Sequence, residues 1–385
     1  VPYTLGGTVL TYLLTRNVTK MLAVLMVDFS CALKLAMPIA VLSAMREASA
    51  SHISVKGGRF LEAVANANTV VFDKTGTLTY ATPKVADIIT FADYKEEDML
   101  RLAACLEEHY PHSMANAVVE AAKERGLSHE EYHSQVQYIV AHGISSMVEG
   151  KKVIIGSSHF VFEDEGCHVP AGDEEKFRSL PAAYSHLYLC IAGELAAVIC
   201  IYDPLRKEAA DAVRALHACG IDKVVMMTGD NRKTAEAVAA QVGVDEVYAE
   251  VLPEDKAAFI RAEKAAGRTV IMIGDGVNDS PALSEADAGI AISTGAAIAR
   301  EIADITIASE DLFELVTLRR LSTELMARIH RNYRFIVSFN FSLIVLGVAG
   351  ILPPTTSALL HNTSTLAISL KSMTNLLPAQ GPEHQ

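Results

Sequence analysis

The sequence predicts a doubly wound α/β domain, interrupted by a smaller α+β insert and flanked at both ends by apolar helices. Three observations predict it. Short apolar segments of β-type residues recur, each ending in an aspartate: VVFD at 70–73, VVMMTGD at 224–230 and VIMIGDG at 270–276. Amphipathic stretches at 233–242 and 256–266 lie between the last two. Strand, helix, strand in that order argues for a parallel sheet, whose active site lies at the carboxyl ends of the strands. Long apolar runs bracket this polar middle.

In chain order, residues 1–14 read as the tail of an apolar helix, and 21–45 (MLAVLMVDFSCALKLAMPIAVLSAM) is long enough to cross a bilayer. Residues 1–48 are therefore expected to be membrane helices, the first of them cut short. Residues 49–80 and 198–318 form the α/β domain. Residues 81–197 break its rhythm with more Gly, His and acidic residues and with short alternating runs such as KKVIIGS at 151–157, so they are expected to form the insert. Residues 319–385 return to the membrane, through FIVSFNFSLIVLGVAGIL at 335–352 and a weaker run at 355–377. Arg319, Arg320, Arg328, Arg331 and Arg334 precede the late span, where basic residues belong on the cytoplasmic side.

The bulk numbers agree with this layout. Half of the 385 residues are hydrophobic and the mean hydropathy is +0.25, high for a soluble protein. A net charge of −13 argues against a nucleic-acid partner. The six cysteines, at 31, 105, 167, 190, 200 and 219, form no CxxC pair, which suggests a reducing compartment without a disulfide framework. No basic region precedes the first apolar run, so no cleavable leader is evident.

The chemistry centres on VVFDKTGTLT, 70–79. A carboxylate attacks phosphorus when the phosphate is neutralised and held in line, so Asp73 is expected to be the nucleophile. Lys74 adjoins it, and the backbone carbonyl of Thr75 can face a Mg²⁺ ion. Asp275 and Asp279 in GDGVND bring carboxylates to the same pocket, one of them for the ion, which prefers oxygen ligands. Lys256 in LPEDK can place an ammonium on the transferring phosphoryl oxygens, and Thr228, Gly229 and Asp230 in TGDN add a hydroxyl, an N–H and a carboxylate. A lone aspartate in such a place as readily caps a helix or closes a turn. Three aspartate-ended strands with DKTGTLT do not fit that simpler account.

DKTGTLT, TGDN and GDGVNDSPAL together resemble the phosphorylation domain of P-type ATPases, and the resemblance covers nearly the whole chain. It implies a haloacid-dehalogenase-like fold, ATP and Mg²⁺ as cofactors, and transfer of the γ-phosphate to Asp73. EEHYPHSMANAVVEAA at 107–122 looks like the nucleotide-binding motif of the heavy-metal-transporting subfamily, with Ser113 where that motif has Pro. By that likeness Glu107, His112, Gly143 and Gly150 bind the nucleotide. VKGGRFLE at 55–62 and DPLR at 203–206 match the subfamily's linkers, and HNTSTLAISLKSM at 361–373 resembles its final membrane helix.

The subfamily has CPC in its early span, where this chain has Phe29-Ser30-Cys31. One thiolate remains where two would suit copper(I), and a mixed site better suits zinc, cobalt, nickel, iron or manganese. Ser30, Cys31 and His361 are the candidate ligands of the transported ion, and Pro38 is expected to open the early helix beside them. The subfamily's actuator loop, TGE, is absent, so the chain reads as the C-terminal part of a longer pump. Its partners would then be ATP, a metal ion, the lipid bilayer and an N-terminal actuator and membrane part of the same polypeptide. The resemblance places it in a bacterial cytoplasmic membrane with the catalytic domains in the cytosol. Three rivals share part of this pattern: a soluble phosphatase of the same fold, a P-type ATPase for another cation, and a catalytically idle membrane protein. Thr75 stands where such a phosphatase has its second acid, which disfavours the first.

Overall fold

The computed structural model describes residues 2–27, 29–108, 113–127, 133–139, 143–181, 183–275, 279–292, 301–309 and 311–378, with the backbone alone at 2, 3, 29–31, 113 and 133–139. Three helices open the chain: α1 (Pro2–Thr15), α2 (Val18–Leu25) and α3 (Phe29–Ala50). The α/β domain begins with β1 (Ile53–Val55), α4 (Gly58–Asn66) and β2 (Thr69–Asp73). The insert holds β3 (Lys84–Thr90), α5 (Glu96–Glu107), α6 (Ser113–Glu124), β4 (His133–Ile139), β5 (Gly143–Val148), β6 (Lys151–Gly156), α7 (Glu174–Arg178), β7 (Ser185–Ile191) and β8 (Glu194–Tyr202). The first domain resumes with α8 (Ala209–Ala218), β9 (Lys223–Met227), α9 (Arg232–Val242), β10 (Glu246–Tyr248), α10 (Pro253–Ala265), β11 (Val270–Gly274), α11 (Ser280–Glu285), β12 (Ala288–Ile292) and β13 (Ile305–Ile307). Two helices follow, α12 (Phe313–Val348) and α13 (Pro354–Ser372).

The α/β domain is a seven-stranded sheet in the order β1-β13-β12-β11-β2-β9-β10, parallel except for β1. The central strand β2 is buried along its whole length, which is why it reads as a continuous apolar run. Val70 and Phe72 pack with Met226 and Ile273 against α4, α8 and α12, while Val71 packs with Val225, Met272 and Ile260 against α10 and α11. Helices on both faces make the sheet doubly wound, as expected.

The insert is a six-stranded antiparallel sheet in the order β3-β8-β7-β6-β5-β4, with α5 and α6 on one face and an aromatic cluster of Phe91, Phe160, Phe162 and Phe177 on the other. Its last strand, β8, runs to Tyr202, past the boundary at 197 that composition suggested. Seven of its residues are buried in succession, so the strand lacks the alternation that would have marked its face.

The terminal helices depart from the expected spans. Among the described residues, no helix is long and apolar enough to cross a membrane. The run at 21–45 is divided, because α2 ends at Leu25 and α3 begins at Phe29. Pro38 sits inside a continuous α3 and does not end it. In α12 the apolar part, 335–348, measures about 21 Å, short of the roughly 30 Å of a hydrocarbon core. In α13, polar residues at 355–357 and 361–365 interrupt the apolar face. The helices nonetheless pack together, through Ala32, Ala36, Ile336 and Ile368, and leave Leu10, Leu13, Leu42, Phe341, Leu359 and Leu366 exposed.

Close packing at β12 gives a direct test of the sheet. A Cβ at Gly289 would sit 2.5 Å from the backbone oxygen of Leu283. Gly289→Ala is therefore expected to destabilise the α/β domain by about 1–3 kcal/mol. Faster amide hydrogen exchange along β11 and β12 would report it, and unchanged protection there would refute the packing argument.

Candidate active site

Asp73 ends β2, and its neighbours across the sheet end in the same place. Asp73 lies opposite Met227 of β9, just before Thr228-Gly229-Asp230, and β11 leads into Asp275. Register alone therefore gathers the three aspartate-bearing turns at one edge.

Beyond Asp73 the chain makes one wide helical turn, 74–78, with Thr75 extended (φ −73°, ψ 128°) and Gly76 left-handed (φ +74°). A Cβ at Gly76 would stand 3.2 Å from Cβ of Asp275, so the loop lies directly against that carboxylate. The Thr79 hydroxyl accepts the Gly76 N–H at 3.1 Å and donates to the Asp203 carboxylate. The Tyr80 N–H donates to the Pro204 carbonyl (3.1 Å), and the Arg206 N–H to the Leu78 carbonyl (2.9 Å). The Arg206 guanidinium donates to the Gly76 carbonyl (3.4 Å) and lies 5.3 Å from the centre of the Tyr80 ring. Sequence reading took DPLR for a linker; the structure folds it back onto the catalytic loop. The available signal was a charged residue directly after a buried strand.

Lys256 joins the pieces. It is buried in the first turns of α10 and donates to Asp73 Oδ1 at 2.5 Å and to Asp279 Oδ1 at 2.7 Å. Asp73 and Asp279 both occupy positions just before a helical turn, yet neither side chain makes a capping bond. That excludes the simple cap account for this pair. A Cβ at Gly274 would lie 2.4 Å from Asp279 Oδ2, so the glycine makes room for the carboxylate. Lys74 turns the other way and pairs with Asp230 at 2.6 Å. Thr228 is buried, and its hydroxyl accepts the Asp230 N–H at 3.1 Å.

The electrostatics are unbalanced. Burial, then the Asp279 carboxylate, push the Asp73 pKa up to about 6, against the pull of Lys256. Burial also raises Asp279, despite the Lys256 ammonium beside it. For Lys256 burial works against the charge, but the two carboxylates outweigh it and its pKa is raised. Asp73 and Asp279 thus share one ammonium, and Asp275 adds a third negative charge that acts on both. Asp279 Oδ2 is buried without a hydrogen-bond partner among the described residues. A surplus of oxygen donors with an unfilled lone pair fits a hard divalent cation such as Mg²⁺.

The expected nucleotide residues fare unevenly. Glu107 is buried at the end of α5, and His112 lies outside the described residues. At Gly143 a Cβ would meet the Phe160 ring at 2.4 Å and the Ile155 carbonyl at 2.5 Å, so close sheet packing demands this glycine. Gly150 (φ +77°) makes the β5–β6 turn, at the other end of β5, about 17 Å away by strand rise. One small pocket cannot include both. Of the ion ligands, Ser30 and Cys31 have no described side chains. His361 is buried in α13 and its Nδ1 lies 3.1 Å from Asn340 Oδ1 of α12. Among the described residues no three His, Cys, Asp or Glu side chains are gathered closely enough to hold a metal by themselves, so a Mg²⁺ ion at the sheet edge would need the Thr75 carbonyl and phosphate oxygens beside its carboxylates.

Asp73 carries a testable pH signature. Its folded pKa, about 6, exceeds its ordinary value of 3.8, so the ionised carboxylate penalises the fold. The penalty is complete above about pH 6 and vanishes below about pH 4. In Mg²⁺-free buffer at neutral pH, Asp73→Asn is expected to resist denaturant better by about 2–3 kcal/mol. The gain should fade as the pH falls through 6. A gap that ignores pH would contradict the charge imbalance.

A family model described as haloacid dehalogenase-like hydrolase matches residues 67–287. A probable copper-exporting P-type ATPase V of Mycobacterium tuberculosis is 37% identical over 97% of this chain and 49% of its own length. A zinc-exporting P-type ATPase of Mycobacterium marinum is 35% identical, over 97% of this chain and 51% of its own. A manganese-exporting P-type ATPase of Mycobacterium leprae is 34% identical over the same shares, 97% and 51%. The chain thus spans about half the length of the curated relatives it matches. Among solved structures, a zinc-transporting PIB-type ATPase in the E2.Pi state superposes with a TM-score of 0.80 at 28% identity, covering 97% of this chain and 62% of that one. The catalytic CPx-ATPase domain CopB-B superposes with a TM-score of 0.56 at 28% identity, covering 71% of this chain and 98% of that one.

Proposed function

The chain belongs to the haloacid dehalogenase-like hydrolase family, on its heavy-metal P-type ATPase branch, and we propose that it is the catalytic part of an ATP-driven pump that exports a transition-metal cation through an aspartyl phosphate on Asp73. The observation that carries this reading is the Asp73–Lys256–Asp279 cluster at the sheet edge, with a catalytic loop built around it.

The chemistry follows from the geometry. An oxygen of Asp73 attacks the γ-phosphorus of ATP, the bond to the β,γ-bridging oxygen breaks, and ADP leaves with that electron pair. Lys256 faces the transferring phosphoryl oxygens and offsets their charge. Thr228 and Gly229 offer a hydroxyl and an N–H to the same group. Lys74 and Asp230 hold each other and fix the mouth of the site. Asp73, the Thr75 carbonyl and Asp275 would hold Mg²⁺, which neutralises phosphate charge when bound. Thr75 supplies no carboxylate to activate water, so the acyl phosphate outlives the transfer step.

The insert would bind ATP near Glu107, His112 and Gly143. The helical bundle would lie in a bacterial cytoplasmic membrane with the catalytic domains in the cytosol. Support for that placement comes from its exposed leucines and from the arginines of α12 nearest the α/β domain. His361 with Asn340, and Ser30 and Cys31 of α3, would contribute to the ion path. Oxygen and nitrogen donors with a single thiol suit borderline zinc, or the harder manganese, better than copper(I). The relatives export copper, zinc or manganese at nearly equal identity, so identity selects none of them.

The test uses the full-length parent in lipid vesicles, radiolabelled ATP and a panel of divalent cations with copper(I). A hydroxylamine-sensitive phosphoprotein is expected with one cation, absent in Asp73→Asn and formed about 10²–10³-fold more slowly in Lys256→Ala. His361→Ala should lose cation stimulation while keeping phosphorylation from inorganic phosphate. Label persisting in Asp73→Asn would overturn the mechanism. Turnover that needs Asp73 but ignores every metal would overturn the choice of cargo.

A further inference from the structure

We propose that the groove between α12 and α13 binds an anionic phospholipid, with its phosphate at Arg331 and Lys371 and an acyl chain along Phe335 and Ile368. The groove is a cavity of about 420 Å³, lined among others by Arg328, Arg331, Phe335, Ala367, Ile368 and Lys371. This rests on the membrane placement of the bundle proposed above.

The two walls are graded in the same direction. Residues four apart on a helix lie one above the other. On α12, Arg331 stands one turn nearer the α/β domain than Phe335. The returning helix α13 runs the opposite way, so Lys371 stands one turn nearer that domain than Ala367. The register is fixed by Arg328, which donates to the carbonyls of Thr374 (2.5 Å) and Asn375 (2.8 Å), and by Asn332, whose side-chain amide donates to Ser372 Oγ at 3.0 Å. Both free cations therefore rim one end of the groove, and its apolar walls continue away from them through Phe335, Ala367 and Ile368.

The charge at this rim is uncompensated. Among the described residues, neither the Arg331 guanidinium nor the Lys371 ammonium has a hydrogen-bond or ion-pair partner. Glu47 and Glu324 face Arg328, and the Glu47 carboxylate is already taken by the N–H groups of Leu376 (2.7 Å) and Leu377 (2.8 Å). Another apolar helix seated here would bury two unpaired cations, at high cost. A small soluble anion would leave Phe335, which is half exposed, in water. A phospholipid satisfies both halves, and basic pockets between helices at the cytoplasmic face are suited to such headgroups.

The experiment places the full-length parent in nanodiscs of phosphatidylcholine with or without phosphatidylglycerol and counts retained lipid by native mass spectrometry. Wild type is expected to retain phosphatidylglycerol selectively. Arg331→Gln and Lys371→Gln should each weaken retention about fivefold, and together about 25-fold. Phe335→Ser should weaken retention without changing charge. Excess inorganic phosphate should leave the lipid in place. Phosphorylation of Asp73 serves as the check that each variant is folded. Equal retention by the double variant, or displacement by inorganic phosphate, overturns the proposal. Failure to enter either nanodisc overturns the membrane placement itself, whereas entry into both with equal retention overturns only the lipid site.

Discussion

One buried ammonium organises this molecule. Lys256 reaches from α10 to carboxylates on two other segments, Asp73 at the end of β2 and Asp279 before α11. A parallel sheet places those segments side by side, and burial then makes their charges expensive. A buried ion pair is weak evidence for stability, because desolvation can exceed the attraction gained. Here the raised pKa of Asp73 says that the cost is not fully offset. The fold holds a charge deficit open at the one place where a cation and a phosphoryl group can fill it. Stability is given up where chemistry needs an unsatisfied site.

The same domain is fastened to the helical bundle by a second buried cation. Arg319, in the early turns of α12, donates to the carbonyls of Val64 and of Cys219 at the ends of α4 and α8. Both carbonyls lie in the last turns of their helices, where acceptors are left for partners outside the helix. The helix that carries Arg319 is about 54 Å long and continues into the bundle without interruption. On the bundle side Arg328 of the same helix donates to the carbonyls of Thr374 and Asn375, and Arg46 and Glu47 of α3 hold that same segment through Asn375, Leu376 and Leu377. The α/β domain and the bundle thus share one continuous helix, held through Arg319 on the domain side and through Arg328 on the bundle side.

How much of this was legible in the sequence depends on which force set each feature. β2, β9 and β11 were plain, because a buried parallel strand is continuously apolar and its terminal aspartate interrupts the run abruptly. Asp73, Lys256 and Asp279 are legible as members of one pocket, but the pairing of the ammonium with both carboxylates rests on sheet order, which no local pattern encodes. The edge at Tyr202 was missed because β8 is buried on both faces and looks the same before and after residue 197. Pro38 was read as a break, yet the helix continues through it and the interruption falls earlier, after Leu25. Likeness alone pairs Gly143 with Gly150. One is excluded from bearing a side chain by Phe160 and the other serves a left-handed turn, and neither reason is visible without the third dimension.

The stem of the insert shows why an inserted domain need not be a loose appendage. The chain leaves the α/β domain through Thr79 and returns through Leu205, and these two residues form a β-bridge. Beyond them β3 and β8 pair along their length, so the outgoing and returning strands make one ladder. The root of that ladder is the catalytic loop. Thr79 holds Gly76 from one side, Arg206 holds the Gly76 carbonyl from the other, and Asp203 secures Thr79. Gly76 in turn lies against Asp275. Tilting the insert about its stem must therefore pull on the backbone between the nucleophile and the carboxylate opposite it. Two adjacent strands bend as a hinge but resist sliding, so the insert can swing towards Asp73 while the register of the loop beneath it is preserved.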